Sequence, residues 1–375
     1  MSLVTKLRSS PLWKKWLIKK GKIQTFQEIE DFINQAPPVY FEETPLKMPK
    51  IGIIKTGHFD RFDGYETPRA SYLRYVRFCQ NNTVPYEFYD IEKSNWLDEA
   101  KKFDIIICHV QTTPYYKSMI EKKFYIIQEL LKIHCFPSFH EVIQYEDKCF
   151  SHDLYKLYNL PSIPTVVTNS YEEALQMIDD AKYPFISKTT IGASSSGVEL
   201  IKSKREAKRL VRRIFSKKGR KTYHPYLNQK NYFYKQEFID DASYDLRIIL
   251  VGNRAFGYYR YPQKGDFRAS GSGIYEKKEI PLEALQLAFR VKESLGCLQL
   301  GVDLLYSPKS RQYYIIETSL FNQINTPEQL MVNGVAGYYD VSDREEIKFV
   351  SGKYWVQELL MKEVILSWCK KFNDA

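Results

Sequence analysis

Residues 298–306, "LQLGVDLLY", and 312–320, "QYYIIETSL", decide how this chain reads. Both are runs of strand-favouring residues, and together they read as a pair of strands. Each carries one acid: Asp303 on a mostly apolar strand, and Glu317 near the end of the next, with Thr318 and Ser319 behind it. A carboxylate in such a setting is costly unless a cation or hydrogen-bond donor compensates it. Two acids on adjacent strands can share a hard cation through oxygen ligands, as Mg²⁺ at a nucleotide phosphate requires. An arginine partner for each acid, or an exposed sheet edge, accounts for them as well.

Working outward, strands alternate with helices over the first third of the chain. "PKIGIIKTGHF" (49–59), "YEFYDI" (86–91) and "FDIIICHV" (103–110) read as strands. Helices are expected near 69–81, over 94–102 and over 119–134. This rhythm implies βαβ units on a parallel sheet, a small doubly wound layer. From residue 146 the rhythm changes. A helix over "EDKCFSHDLYKLYNL" precedes the strand "PSIPTVVT". Ser170 with Glu173, and Ser203 with Glu206, read as capping boxes opening two further helices. "YPFISKTT", the loop "IGASSSG" and "VELI" make a hairpin, and "YFYKQEFI" (232–239) is another strand. "DLRIILVG" and "RAFGYYRYP" form a second hairpin, followed by the loop "KGDFRASGSG" (264–273). A helix starts at Pro281 and is stopped by Gly296. The chain closes with an amphipathic helix over 354–372.

Several residue types along this path suit phosphate chemistry. Lys188 ends the apolar run "FIS", and small residues follow, which let backbone N–H groups approach an anion. Lys148 lies on the helix before it, where an exposed lysine is the plain alternative. Gln236 and Glu237 end a strand, and Asp245 and Arg247 begin another; strand alternation explains these without any function. Lys264, Asp266 and Arg268 sit among Gly and Ser in a loop that could close over phosphates. Arg69 and Arg74, after the first strand, could face a carboxylate substrate.

Composition narrows the classes. The chain has 375 residues, 44% hydrophobic and 27% charged, ordinary globular usage for two or three domains. No apolar run reaches the roughly 20 residues that span a bilayer, and the basic start has no cleavage site typical of a secretory signal. Six scattered cysteines without a C-x-x-C pair read as reduced thiols in a cytoplasmic protein. The net charge of +10 is confined to two stretches. Residues 1–27 hold seven Lys or Arg and no acid, and residues 202–221 hold eleven and one Glu. Confined charge of this kind does not make a surface-wide nucleic-acid footprint, and no nucleic-acid partner is expected. Residues 3–20 read as a basic amphipathic helix that could lie peripherally on the inner face of a membrane or pack on its own protein.

The order of these features over 146–320 is more specific than any one of them. Helix Lys, strand Lys, small-residue loop, Q-E-F-I hinge, D-L-R strand, G-D-F-R loop, V-D strand and E-x-S strand resemble the ATP-grasp superfamily. The likeness is to ligases similar to glutathione synthase and the ribosomal-protein glutamate ligase. The tail "NGVAGYYDVSDREEIKFVSGKYWVQELL" resembles ATP-grasp proteins linked to cell-surface polysaccharide synthesis.

The resemblance implies an α/β and α+β fold: an ATP-grasp fold preceded by a small doubly wound βαβ domain. Its divisions would be an N-terminal extension (1–47), the βαβ domain (48–140), a lid subdomain (141–235) and a large subdomain with the C-terminal helix (236–375). It implies ATP and Mg²⁺ as cofactors and a ligase that joins a small-molecule or glycan-precursor carboxylate to an amine. Lys148 and Lys188 should contact ATP phosphates, with Gly192, Ser194, Ser195, Ser196 and Gly197 covering them. Gln236, Glu237, Phe238 and Ile239 should read adenine, and Asp245 belongs to the same nucleotide set. Arg247 and Arg268 should face the reaction centre, and Asp303, Glu317 and Ser319 should hold Mg²⁺. Ser319 departs from the E-x-N pattern usual at that strand, which bears on a second Mg²⁺. A kinase on the same fold, or a binding module for anionic surfaces with a degenerate ATP site, are the rival readings.

Overall fold

The four consecutive buried residues Ile51–Ile54 and Ile105–Cys108 are what a strand covered on both faces requires. In the computed structural model they form the centre of a four-stranded, all-parallel sheet. The structure describes residues 25–55, 70–192, 197–224, 226–322, 324–343 and 346–373. The basic stretch 3–20, Arg69, and the loop residues Ser194, Ser195 and Ser196 lie outside these.

In chain order the first elements are α1 (Phe26–Ile33), β1 (Ile51–Ile54), α2 (Ser71–Asn81), β2 (Tyr86–Phe88), α3 (Trp96–Ala100), β3 (Ile105–Cys108), α4 (Pro114–Phe124), β4 (His134–Phe136) and α5 (Phe139–Gln144). Then come α6 (Lys148–Leu157), β5 (Thr165–Thr168), α7 (Tyr171–Asp179), β6 (Phe185–Lys188), β7 (Val198–Ile201), α8 (Lys204–Ile214), β8 (Arg220–Lys221), β9 (Asn228–Gln229) and β10 (Phe233–Glu237). The remainder is β11 (Asp245–Val251), β12 (Arg254–Arg260), β13 (Tyr275–Glu276), α9 (Leu282–Ser294), β14 (Gln299–Ser307), β15 (Gln312–Ser319), β16 (Leu330–Val332), β17 (Val335–Asp340), β18 (Lys348–Ser351) and α10 (Val356–Asn373).

Two units divide the chain. The first comprises residues 1–142, 251–254 and 321–375. Its parallel sheet runs in the order β2-β1-β3-β4, and α10 packs along α2. β16, β17 and β18 form an antiparallel meander. No described helix is long and apolar enough to cross a membrane.

The second unit comprises residues 143–250 and 255–320. One antiparallel sheet has the order β5-β10-β6-β7. Its core forms where the apolar faces of α7 and α8 (Ala174, Ile178, Ala207, Leu210, Val211, Ile214) meet Phe185, Ile201 and Phe233 of the strands. The other sheet places β15, β14, β11 and β12 side by side, with α9 against β14.

Local chemistry departs from sequence expectation in three places. The helix expected over 119–134 begins at Pro114, a residue suited to a first turn, and continues as a π-helical stretch over Tyr125–Leu130. The two capping boxes are half formed. Ser170 and Ser203 do accept from the amides of Glu173 and Glu206. The glutamates themselves turn to the Thr168 hydroxyl and the Lys202 amide instead. Reciprocal boxes form at Thr25 with Glu28 and at Ser138 with Glu141, outside the expected pattern.

Candidate functional site

The pair of strands read first from the sequence builds the site. Across β14 and β15, Asp303 stands opposite Glu317 and Leu304 opposite Ile315. Ile316 is left without a counterpart, which makes a β-bulge. Side chains alternate faces along a strand. Regular alternation would therefore put Glu317 on the side of buried Tyr313 and Ile315. The additional residue turns Glu317 over to the face of Asp303, and Ser319 follows opposite Gly301. The three oxygen-bearing residues expected to hold a metal thus share one face, with directly opposed Cβ atoms about 5 Å apart.

Asp303 is buried and accepts three hydrogen bonds. Arg247 donates Nε to Oδ1 and Nη2 to Oδ2, both at 2.7 Å. Arg260 donates Nη2 to Oδ2 at 2.7 Å and its Nε to Asp245. Arg247 comes from the D-x-R strand β11 and Arg260 from its hairpin partner β12, so neighbouring strands deliver both guanidiniums. Burial works against the charge of Asp303, but the two guanidiniums hold its carboxyl well below the usual carboxylate range. Asp245 has only one of them, and burial pushes it up to about 6. The arginine partner weighed as an alternative for Asp303 is therefore real. It does not exclude a metal, because a carboxylate offers about four lone-pair sites and three are used.

Glu317 is about a third exposed and pairs with Lys148 Nζ at 2.9 Å. Lys148 opens α6 and also donates to the Gly192 carbonyl at 2.9 Å. It is buried, not the exposed helix lysine of the plain reading. Burial lowers its pKa, but Glu317 and Glu146 outweigh that and keep it raised. α6 is held at its start by Asp147, which accepts from the Cys149 and Phe150 amides and the Thr190 hydroxyl. At its far end Tyr155 bonds the Thr318 hydroxyl at 2.7 Å.

Lys188, at the end of β6, is 4% exposed. Among the described residues no hydrogen bond or ion pair reaches its ammonium. Burial lowers its pKa to about 8, against the pull of Glu317. A buried ammonium without an anion is the feature here that a phosphate would complete. The loop after it leaves no room for variation at its exit: Gly197 has φ +81°, and a Cβ there would lie 2.0 Å from Thr189 Oγ1.

The Q-E-F-I stretch ends β10. Gln236 is buried, and its amide donates to Thr165 Oγ1 at 2.9 Å and to Tyr234 at 3.2 Å. That side chain ties the sheet together. Strand pairing stops at Glu237, so the main chain of Phe238 and Ile239 lies beyond the paired ladder. Phe238 meets Phe267 edge to face at 5.7 Å, which brings the G-D-F-R loop beside the hinge. Arg268 in that loop is exposed and pairs with Asp266 at 2.8 Å. No hydrogen bond or ion pair joins it to the Asp303 and Glu317 cluster.

The residues fit ATP and Mg²⁺. Among the described residues, no three His, Cys, Asp or Glu gather as a metal cage. Two carboxylates beside two buried lysines instead match an ion that takes one or two carboxylates and completes its shell with phosphate and water.

Sequence reasoning missed Arg260. It sits at the end of a hairpin strand rich in tyrosine, and only the fold shows that it bridges Asp245 and Asp303. Arg74 does not face a ligand. It is fully buried, donates to the Ala70 carbonyl at 3.1 Å, and lies over Trp355 and Phe32, 4.3 and 5.3 Å from their ring centres.

Paired lysines, a backbone hinge and opposed carboxylates on adjoining strands define the ATP-grasp class of nucleotide fold. A family model described as the RimK-like ATP-grasp domain matches residues 145–334, half of the chain. The chain belongs to the RimK-like ATP-grasp family, whose ligases use ATP with Mg²⁺. It is similar to the alpha-aminoadipate–LysW ligase LysX of Saccharolobus solfataricus, 25% identical over 48% of this chain and 62% of that protein. It also resembles the tetrahydromethanopterin:alpha-L-glutamate ligase of Methanocaldococcus jannaschii, 30% identical over 40% of this chain and 50% of that one. The match thus spans about three fifths or less of these relatives. Among solved structures, D-alanine–D-alanine ligase from Bacillus anthracis complexed with ATP superposes with a TM-score of 0.53 at 12% identity, covering 87% and 99% of the two chains. A RimK domain ATP-grasp protein from Sphaerobacter thermophilus gives 0.51 at 13% identity, covering 84% and 98%.

Proposed function

We propose that this chain is an ATP- and Mg²⁺-dependent ligase that joins a carboxylate to an amine through an acyl phosphate. The reading rests above all on Lys188, a buried cation that forms no ion pair among the described residues, set in one unit with Lys148 and the opposed pair Asp303 and Glu317. Lys148 and Lys188 bind phosphate oxygens, and the Phe238–Ile239 backbone takes the adenine edge. Asp303 and Glu317, with Ser319 beside them, would hold Mg²⁺, which when bound would neutralise phosphate charge. The substrate carboxylate oxygen attacks the γ-phosphorus and ADP leaves. The amine then attacks the acyl carbon, phosphate leaves, and the nitrogen gives up a proton. Both steps build negative charge on oxygen, so fixed cations are the main requirement. Arg247 is the guanidinium placed for that role at the metal face, and Arg268 is the second on closure of its loop. Arg260 is a positioning residue that keeps Asp303 ionised and oriented.

The acid is a small carboxylate or a glycan-precursor uronic acid, the latter supported by the likeness of the tail to polysaccharide-linked ATP-grasp proteins. The test is ADP release in a matrix of acids and amines, with product masses read afterwards. A ligase turns over, releasing phosphate with the ADP, only when an acid and an amine are both present, and yields a mass lower by one water than their sum. A stable phosphorylated product from one substrate would establish the kinase instead. Absence of Mg-ATP binding by calorimetry would leave neither.

A further inference from the structure

We propose that the outward face of α8 and the stretch after it form an adsorption surface for an anionic lipid bilayer. This goes beyond the ligase reading and does not depend on it. Helix α8 has its whole apolar side, Ala207, Leu210, Val211 and Ile214, sealed in the core. Its exposed side is almost purely cationic. Lys204 and Lys208 pair with Asp179 at 3.0 and 3.9 Å. Arg205, Arg209, Arg212 and Arg213 are exposed, and none forms an ion pair among the described residues. At 100° per residue, Arg205, Arg209 and Arg212 fall within about 60° of arc, one ridge along the helix. Three further exposed lysines, Lys217, Lys218 and Lys221, continue beyond it.

The partner follows from what this ridge lacks. A folded protein partner needs an apolar centre to its interface, and no exposed apolar side chain lies among these cations. A nucleic-acid backbone would take the same cations, and competition by an oligonucleotide tells the two apart. A flat anionic surface needs only cations, each contributing about a five-fold gain in partition. Tyr223 and Tyr226, exposed by 73% and 65%, follow the ridge and are the residue type that sits at headgroup level. With the apolar face of α8 already spent, the mode is adsorption without insertion.

The experiment is co-sedimentation of the full chain with vesicles of equimolar phosphatidylglycerol and phosphatidylcholine, against phosphatidylcholine alone. Binding is expected only to the anionic vesicles and is lost near 1 M salt, where screening acts within about 3 Å. The triple variant Arg205→Glu, Arg209→Glu, Arg212→Glu should partition at least about 100-fold less with an unchanged melting midpoint. Lys217→Glu with Lys218→Glu, away from the helix, should cost at least about 20-fold and serves if the triple variant folds poorly. Full vesicle binding by both variants overturns the proposal, as does equal binding to neutral vesicles. Displacement from vesicles by an oligonucleotide at equal phosphate concentration also overturns it, in favour of nucleic acid.

Discussion

Two buried arginine clusters, one in each unit, are built on opposite principles. In the second unit Arg247 and Arg260 meet Asp245 and Asp303, two cations against two anions, joined by charge-assisted hydrogen bonds. In the first unit Arg74 and Arg77 share one carboxylate, Glu358, 3.3 Å from Arg77. There the deficit is made up by carbonyls and rings. Arg77 donates to the carbonyls of Ile33 and Ala36, and Arg74 lies over Trp355 and Phe32. Burial lowers Arg74 to about 10, with Glu358 opposing. Aromatic faces attract a cation without offering it anything to exchange. A matched set of carboxylates has lone pairs left over, so the first cluster holds structure while the second can also do chemistry.

The contrast breaks hardest at Asp303. Asp303→Asn should cut turnover by about 10³-fold and destabilise the second unit, because Arg247 and Arg260 would keep one anion between them. Steady-state ADP release and urea unfolding measure the two effects, and a stable, fully active variant would remove Asp303 from the site. The mirror experiment is Glu358→Gln. It should cost about 3 kcal/mol of stability in urea unfolding and leave turnover per folded molecule unchanged. A loss of turnover without loss of stability would mean that the aromatic cluster serves catalysis. Arg260→Lys sharpens the account of the matched cluster. One ammonium cannot serve Asp245 and Asp303 in the geometry of a guanidinium, so turnover should fall about 10- to 100-fold with little change in the KM for ATP.

Much of this was legible in the sequence because charge on an apolar strand is conspicuous. Lys188, Asp303 and Glu317 stand out that way, while Lys148 and the D-x-R pair entered through the order of the features around them. Arg260 escaped because its strand end, "YYRYP", is polar and aromatic on both sides, so nothing marks the residue as buried. Arg74 was misread because a helix arginine is ordinarily exposed, and its burial depends on Trp355, far along the chain. The bulge at Ile316 has no compositional signature, since an isoleucine fits any β position.

The smallest effect concerns Lys188. In the free protein it titrates near 8, and a bound phosphate holds it charged. Nucleotide affinity should therefore be level below pH 8 and weaken as pH rises above it, by at most about ten-fold per unit. Calorimetry between pH 7 and 9, showing proton uptake on binding at the alkaline end, checks the sign. Lys188→Met should abolish the pH dependence along with most of the affinity.

The extra residue in β15 has a consequence for how this sequence can change length. Removing Ile316 alone would delete no charge and no polar group. It would also restore plain alternation: Glu317 would follow Ile315 directly and stay opposite Asp303, with Ser319 still opposite Gly301 on the same face. A single three-base deletion at that codon should thus remove the bulge and leave the carboxylates facing one another. Removing Thr318 instead has no bulge to absorb it, and would turn Ser319 away from the face of Glu317. Ile316 is spare length more than a contact, and the strand can lose it without changing which side its acid faces.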